Sequence, residues 1–379
     1  NWNFPVKFSI HDPNTLYAGS NFLHATTNEG QTWKTISPDL TRGLPETIES
    51  SGGPITQDNT GAEFYSNLFA INESPLEEGV IWVGSDDGLI HITRDNGANW
   101  ENITPPAKMS PKLNMINCID PSPFQKGTAY VAATSYKFGD YTPYLYKTTD
   151  YGKTWKVITS GIAKNHYTRA IRSDKTREGL LYAGTEWGMY VSFDDGANWS
   201  TFQLNLPITA IRDLEVRDND LIAATHGRSF WMIDDLTPLH QLSSDLATKA
   251  FHLFKPDQTY RMQQSGGWEK PDTKLVGENH PNGAIINFYI KESKETDTVA
   301  LEIMEMDGTL IRKFSNVAKE DKLNPEAEKP LEVVAGGNRL IWDMRYPGYR
   351  TFKGMVFYSS PNVGPKVVPG DYKVKMSYN

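Results

Sequence analysis

The sequence predicts an all-β protein: a run of β-propeller blades, part of a larger ring, followed by a small β-sandwich. Three observations lead there. An octet of the form Ser/Thr-x-Asp/Asn-x-Gly-x-Thr/Asn-Trp occurs four times before residue 200. A short apolar strand phrase occurs five times, each copy except the last shortly ahead of an octet. The chain also carries 53 Gly and Pro and 44 aromatic residues among its 379, the mixture of turn punctuation and β-formers that many short strands require. Self-similar units of about 35 to 65 residues with roughly four strands each are propeller blades.

The octets are Thr26-Thr27-Asn28-Glu29-Gly30-Gln31-Thr32-Trp33, Thr93-Arg94-Asp95-Asn96-Gly97-Ala98-Asn99-Trp100, Thr148-Thr149-Asp150-Tyr151-Gly152-Lys153-Thr154-Trp155 and Ser192-Phe193-Asp194-Asp195-Gly196-Ala197-Asn198-Trp199. Their Trp residues lie 67, 55 and 44 positions apart. The strand phrases are Leu16-Tyr17-Ala18-Gly19-Ser20, Ile81-Trp82-Val83-Gly84-Ser85, Ala129-Tyr130-Val131-Ala132-Ala133, Leu181-Tyr182-Ala183-Gly184-Thr185 and Leu221-Ile222-Ala223-Ala224-Thr225.

In the second unit, residues 68–72 form an inner strand A, 80–84 strand B, 89–93 strand C and 99–103 the outer strand D. The octet is then the C–D hairpin turn. Its acidic or Asn side chain accepts backbone N–H groups, its Gly takes the φ > 0 position, and its Trp covers the turn. Asn28, Trp33, Asp95, Trp100, Asp150, Trp155, Asp194 and Trp199 are therefore assigned to the scaffold. A calcium loop would need three spaced oxygens and a distal Glu, which the octets lack. The fifth unit has no closing Gly-x-x-Trp, and Ala250-Phe251-His252-Leu253-Phe254 is expected to supply its outer strand.

The blades are expected over 1–262, with a polar linker at 263–283 that begins Gln263-Gln264-Ser265-Gly266-Gly267. Strands resume at 284–290, 299–304, 310–314, 338–343 and 372–376, and residues 284–379 are read as a small sandwich. The run 319–329, rich in Lys and Glu, is a solvated loop. A carbohydrate-binding module is the competing reading of this domain, but its alternating apolar residues point inward and Trp342 is placed in the core.

Composition excludes several classes. The formal net charge is -8 with no basic block, against nucleic acid and anionic membrane as partners. No apolar run is long enough to span a bilayer. Cys118 is the single cysteine, set in an alternating apolar segment, so it reads as a buried, inert thiol. No Gly-x-Ser-x-Gly elbow, Walker loop, dinucleotide fingerprint or His-Glu-x-x-His is present, and no cofactor or metal is implied. The chain opens on Asn1-Trp2-Asn3 without an initiator Met or a signal-peptide pattern, which predicts a fragment, a processed product or one piece of something longer.

The octets resemble the Asp-box, or BNR, repeat of sialidases, of sortilin-type Vps10 propellers and of two-propeller xyloglucanases. Ser37-Pro38-Asp39-Leu40-Thr41, Asp58-Asn59-Thr60-Gly61-Ala62-Glu63, Gly84-Ser85-Asp86-Asp87-Gly88 and Ala224-Thr225-His226-Gly227-Arg228-Ser229-Phe230-Trp231 resemble bacterial secreted proteins labelled sortilin-like or BNR-repeat glycosyl hydrolases. Asn338-Arg339-x-x-Trp342-Asp343 and Pro369-Gly370-x-Tyr372 resemble FlgD-type immunoglobulin-like modules. The resemblance implies a secreted, periplasmic or cell-surface bacterial protein of which this is the C-terminal portion. Its five blades then need an upstream propeller segment or a partner chain to close the ring.

In such a ring the B–C turns and D–A connections share one face, where the inner strands converge. There the sequence collects Asp58, Glu63, Asp86, Asp87, Asp140, Glu186, His226 and Arg228, together with Tyr136 and Trp187. Two carboxylates about 5 Å, or about 6.5 to 9.5 Å, apart perform glycoside hydrolysis. Glu186 is the candidate general acid and Asp87 the candidate base or nucleophile, although Asp-Asp-Gly is also simply a good turn. His226, Arg228, Asp86, Tyr136, Trp187 and Glu63 are candidate ligand-binding residues, since a hairpin turn has no need of His or Arg. Sialidase-like chemistry would need an arginine cluster, for which Arg169, Arg172 and Arg212 on inner strands are available. Two functions follow: a propeller that binds a peptide, glycan or partner protein, or a glycoside hydrolase with its cleft on the B–C face.

Overall fold

The computed structural model of the chain describes residues 4–58, 60, 64–262, 280–317, 330–349, 352, 354–356 and 363–379. The chain divides into two compact units, 1–234 and 235–379.

The first unit is a set of propeller blades, each an antiparallel meander. Blade 1 comprises β1 (Val6–Phe8), β2 (Leu16–Gly19), β3 (Leu23–Thr26) and β4 (Lys34–Thr35). Blade 2 comprises β5 (Leu68–Glu73), β6 (Ile81–Ser85), β7 (Ile90–Thr93) and β8 (Glu101–Asn102). Blade 3 comprises β9 (Met115–Pro121), β10 (Ala129–Ser135), β11 (Asp140–Thr148) and β12 (Lys156–Val157). Blade 4 comprises β13 (Thr168–Ser173), β14 (Leu181–Thr185), β15 (Gly188–Ser192) and β16 (Ser200–Thr201). Blade 5 has three strands, β17 (Ile211–Arg217), β18 (Asp220–Thr225) and β19 (Phe230–Ile233).

Consecutive blades stack face to face, so their middle strands are covered on both sides. That is why β6, β10 and β14 are buried along their whole length and read as continuous apolar runs. One core of Tyr17, Leu23, Leu68, Ile71 and Val83 joins blades 1 and 2. A second, with Trp82, Ile116, Val131 and Tyr146, joins blades 2 and 3, and a third, with Tyr130, Leu145, Ile171 and Leu181, joins blades 3 and 4.

The octets form the β3–β4, β7–β8, β11–β12 and β15–β16 turns. In the second copy Asp95 Oδ1 accepts from Thr93 Oγ1 and from the Asn99 N–H, each at 2.8 Å, and Thr93 Oγ1 accepts the Gly97 N–H at 2.9 Å. The later copies repeat these bonds around Asp150 and Asp194. Two details go beyond the sequence expectation. The residue before each Gly is also left-handed: Glu29, Asn96, Tyr151 and Asp195 have φ between 56° and 61°. The Trp side chains do not simply cover their own turns. Trp100, Trp155 and Trp199 donate their indole N–H to the main-chain carbonyls of Ile36, Ile103 and Ile158 in the preceding blade, at 2.9, 2.7 and 2.6 Å. Gly152 shows how close the blades come, for a Cβ there would lie 2.5 Å from Ile103 Cδ1.

Blade 1 has no such neighbour among the described residues. Trp33 is 45% exposed, and Phe4, Val6, Phe8 and Ile10 alternate along one side of β1, each more than half exposed. No strand of blade 5 pairs with one of blade 1 among the described residues.

The second unit contains a short helix α1 (Thr237–Gln241) and two three-stranded sheets. One joins β20 (Phe251–Leu253), β21 (Ala284–Ile290) and β24 (Gly336–Trp342); the other joins β23 (Leu310–Ser315), β22 (Val299–Met304) and β25 (Lys373–Tyr378). Ile286, Phe288, Leu301, Ile303, Ile311 and Trp342 from both sheets share one core. The strand expected to complete blade 5 belongs here instead: Phe251–Leu253 pairs with β21 through Phe251–Ile290, His252–Tyr289 and Leu253–Phe288. Most of the expected linker (263–279), the run 319–329 and Glu63 lie outside the described residues.

Candidate functional site

The β6–β7 turn carries Asp86 and Asp87, and the two differ. Asp87 is fully buried; its carboxylate accepts from Ser85 Oγ at 2.5 Å, the Arg42 N–H at 2.7 Å and Ser66 Oγ at 3.3 Å, and its carbonyl accepts from Arg42 Nε at 2.8 Å. It ties the 36–67 connection to the turn. Among the described residues Asp86 Oδ1 accepts only the Asn67 N–H at 2.9 Å, with Asn67 Nδ2 3.4 Å from the other oxygen. Burial pushes its pKa up to about 6 and neighbouring Asp87 adds to the rise, while the Asn67 bonds and the Lys137 charge pull against it.

Blade 3 brings the single-turn segment Tyr136–Phe138 to the same face. Lys137 Nζ lies 4.9 Å from the Tyr65 ring centroid. Tyr136 stacks on Tyr167 with centroids 5.3 Å apart, and Tyr141, half exposed, packs against Tyr167 at 5.8 Å. Tyr167 immediately precedes β13 and Arg169 lies at the register shift between Thr168 and Ala170, which lets their side chains meet. The Arg169 guanidinium is 4.9 Å from both the Tyr136 and the Tyr167 centroid, within cation–π range. It donates from Nε to Glu186 Oε2 at 2.5 Å and from Nη2 to Tyr167 Oη at 3.1 Å. Beside Glu186, Trp187 is half exposed, its ring 6.3 Å from His166, which meets Tyr190 Oη at 2.8 Å.

Asp86, Tyr136, Glu186 and Trp187, all expected on this face, therefore belong to a cluster fed by blades 2, 3 and 4. The sequence reading omitted Tyr65, Lys137 and Tyr167, and it treated Arg169 only as part of an arginine set. The signal available was the i, i+2 pair Tyr167 and Arg169 opening an inner strand. On blade 5, His226 Nδ1 accepts from Arg212 Nε at 2.9 Å and Nη2 at 2.6 Å, and Arg228 is exposed without an ion pair among the described residues. No hydrogen bond, ion pair or ring contact among the described residues joins that patch to the cluster. The three inner-strand arginines do not converge: Arg169 pairs with Glu186, Arg172 with Asp213 and the Cys118 thiol, and Arg212 with His226.

Asp58 and Asp140, the other expected acids, cap their own loops. Asp58 accepts the Thr60 N–H at 3.0 Å; Asp140 accepts the Thr142 N–H at 3.0 Å and Tyr144 Oη at 2.6 Å.

No protein-family profile matches the chain, and no curated protein does. Solved structures do. A GH74 xyloglucanase from Xanthomonas campestris aligns at 14% identity and TM-score 0.45, over 61% of this chain and 36% of that one. An ancestral GH74 enzyme aligns at 13% identity and TM-score 0.41, over 82% and 38%. YCF48 bound to D1 peptide aligns at 20% identity and TM-score 0.34, over 44% and 51%. The likeness is one of fold. This chain spans about a third to a half of the length of these neighbours.

Proposed function

We propose that this propeller binds a peptide, a glycan or a partner protein on its B–C face, at the cluster around Arg169. The observation that supports the reading is the Tyr136–Tyr167–Arg169 stack flanked by the half-exposed Tyr141 and Trp187. Tyr167 and Arg169 are themselves buried and hold the cluster together, so the faces offered to a ligand are those of Tyr141 and Trp187; aromatic faces of this kind stack on sugar rings or on Pro and aromatic side chains. Screening the chain against glycan and peptide arrays, beside a Trp187→Ala/Tyr141→Ala variant, tests it. Both substituted side chains are half exposed, so folding is retained. A ligand bound equally by both proteins would move the site elsewhere.

The hydrolase reading is favoured by one feature, the raised pKa of Asp86, since a general acid must hold its proton near neutral pH. The pair first chosen for that chemistry is engaged otherwise, Glu186 with Arg169 and Asp87 with Arg42, Ser66 and Ser85. Hydrolysis of soluble β-glucan oligosaccharides, abolished by Asp86→Asn, would establish it against binding alone.

The turn bonds around Asp95, Asp150 and Asp194 support the Asp-box resemblance, and the paired sheets of the second unit are in keeping with an immunoglobulin-like module. With these goes an extracytoplasmic location; among the described residues no helix is long and apolar enough to cross a membrane. The open side of blade 1, with Trp33 and the alternating Phe4, Val6, Phe8 and Ile10, supports a further blade or partner chain completing the ring.

A further inference from the structure

Trp199 occupies a pocket that can be specified residue by residue. It packs in one core with Leu145, Ile158, Ile162, Leu181, Ala183 and Tyr190. Its indole N–H meets the Ile158 carbonyl at 2.6 Å and its main-chain N–H meets the Ser160 carbonyl at 2.8 Å. Its strand, β16, pairs with β15.

One blade further on, each of these positions has a counterpart. Leu181 and Ala183 on β14 correspond to Leu221 and Ala223 on β18. Tyr190, paired with Ala183, corresponds to Trp231, paired with Ala223. The bond from Ile158 N–H to the Leu145 carbonyl at 3.0 Å is repeated by Phe202 N–H to the Met189 carbonyl at 2.8 Å. Counting on from Phe202 matches Ser160 to Leu204 and Ile162 to Leu206. Met189, Phe202, Leu206, Leu221, Ala223 and Trp231 line a small apolar pocket, and Leu204, Met232 and Ile233 edge it. Among the described residues no Trp fills it: the Trp231 indole turns back to the Arg228 carbonyl at 2.9 Å. Among the described residues no donor reaches the carbonyls of Phe202 or Leu204. Among the described residues β19 ends its sheet with one edge unpaired, and its Phe230 and Met232 are 78% and 58% exposed.

We propose that this edge of blade 5 is a docking site for one extended strand of the chain's own outer-strand type, Thr/Asn-Trp-x-x-Ile/Phe. Its Trp fills the pocket and donates to the Phe202 carbonyl, its main-chain N–H meets the Leu204 carbonyl, and its backbone adds antiparallel to β19. This is strand addition with a side-chain anchor: the ladder supplies affinity and the Trp pocket supplies selectivity. The continuity with the blade 3–blade 4 interface, matched in both pocket and acceptors, identifies the occupant. Among the described residues the outer strands β4, β8, β12 and β16 are already paired within their own blades, so the strand comes from outside the described residues.

The test uses the 379-residue chain and a labelled peptide of its own residues 148–158, Thr-Thr-Asp-Tyr-Gly-Lys-Thr-Trp-Lys-Val-Ile. Fluorescence anisotropy should show saturable binding, at least tenfold weakened when the peptide Trp is replaced by Ala. Amide exchange over Phe230–Ile233 should slow on binding. The Leu204→Asp variant, changed at a position 71% exposed and so still folded, should bind at least tenfold more weakly with an unaltered Tm. Absence of saturable binding, equal affinity for the Ala peptide, or undiminished binding by Leu204→Asp would each overturn the proposal. So would light scattering showing dimers in which a second copy protects the same β19 amides.

Discussion

The indole N–H of Trp199 is bonded to the carbonyl of Ile158, 41 positions earlier and one blade back. The same relation joins Trp155 to Ile103 and Trp100 to Ile36, so the second, third and fourth octets each fasten the blade before them as well as forming their own turns. Trp199→Phe keeps most of the apolar contact and leaves a buried carbonyl without its donor. It should cost about 1 to 3 kcal/mol in urea unfolding. Trp33→Phe, on the exposed side of blade 1, should change stability by less than about 0.5 kcal/mol. Equal costs at the two positions would show that the inter-blade bond contributes nothing.

Two octet glycines separate backbone strain from blade contact. Gly30 and Gly152 have nearly the same φ, +82° and +83°. A Cβ at Gly30 finds only its own Trp33 at 3.7 Å, whereas at Gly152 it meets the Ile103 side chain at 2.5 Å. Gly30→Ala should cost about 1 kcal/mol, from the left-handed backbone alone. Gly152→Ala should cost about 2 kcal/mol more, from overpacking between blades 2 and 3. Thermal unfolding of the two variants measures the difference directly.

Asp194 accepts the Asn198 N–H and the Ser192 hydroxyl, each at 2.8 Å, on an exposed turn. Asp194→Ala should lower stability by about 1 kcal/mol, because water replaces part of what the carboxylate supplies. Asp194→Asn, which keeps an acceptor oxygen, should recover more than half of that. Ligand binding on the opposite face should be unchanged in both; lost binding with intact stability would make the octet functional.

Asp86 and His91 impose opposite pH dependences on stability. The folded state holds the Asp86 proton up to about pH 6 against an ordinary 3.8, so its contribution falls as pH rises through that window. His91 is the reverse. Burial lowers its pKa from 6.5 to about 4, so the unfolded chain binds the proton more readily and stability rises with pH between those values. Asp86→Asn should therefore leave stability rising from pH 4 to 6.5, and His91→Leu should leave it falling, each by on the order of 2 kcal/mol. The Leu variant also removes a buried Nδ1 that has no hydrogen-bond partner among the described residues. Parallel slopes in the two variants would refute the assignment.

Strand positions were readable in the sequence because burial on both faces of a blade writes unbroken apolar runs such as Ile81-Trp82-Val83, and because the octet marks every C–D turn. The partners of the octet Trp residues were not readable, for their acceptors are carbonyls in another repeat and carbonyls have no sequence signature. The β20 strand was misplaced for a related reason: Ala250–Phe254 has the alternation that suits any unpaired edge, and two edges competed for it. At the site, turn composition singled out Asp86, Tyr136, Glu186 and Trp187. Arg169 and Tyr167 were overlooked as members of this cluster because a pair of polar and aromatic residues at the mouth of an inner strand looks like ordinary edge residues until neighbouring blades converge on it. Asp87 illustrates the converse, an acid in a promising turn that three donors hold inside the scaffold.

The unequal intervals of 67, 55 and 44 residues between octet Trp residues acquire a meaning from the inter-blade bond. Each Trp reads only an Ile carbonyl three residues past the previous Trp, so the interlock ignores how much polypeptide runs between. Insertions collect where the fold does not measure length, in the 36–67 connection and in the β10–β11 loop that carries Tyr136. These loops can therefore be lengthened, trimmed or exchanged without renegotiating the stacking, which makes them the freely variable part of the repeat and its turns the fixed gauge.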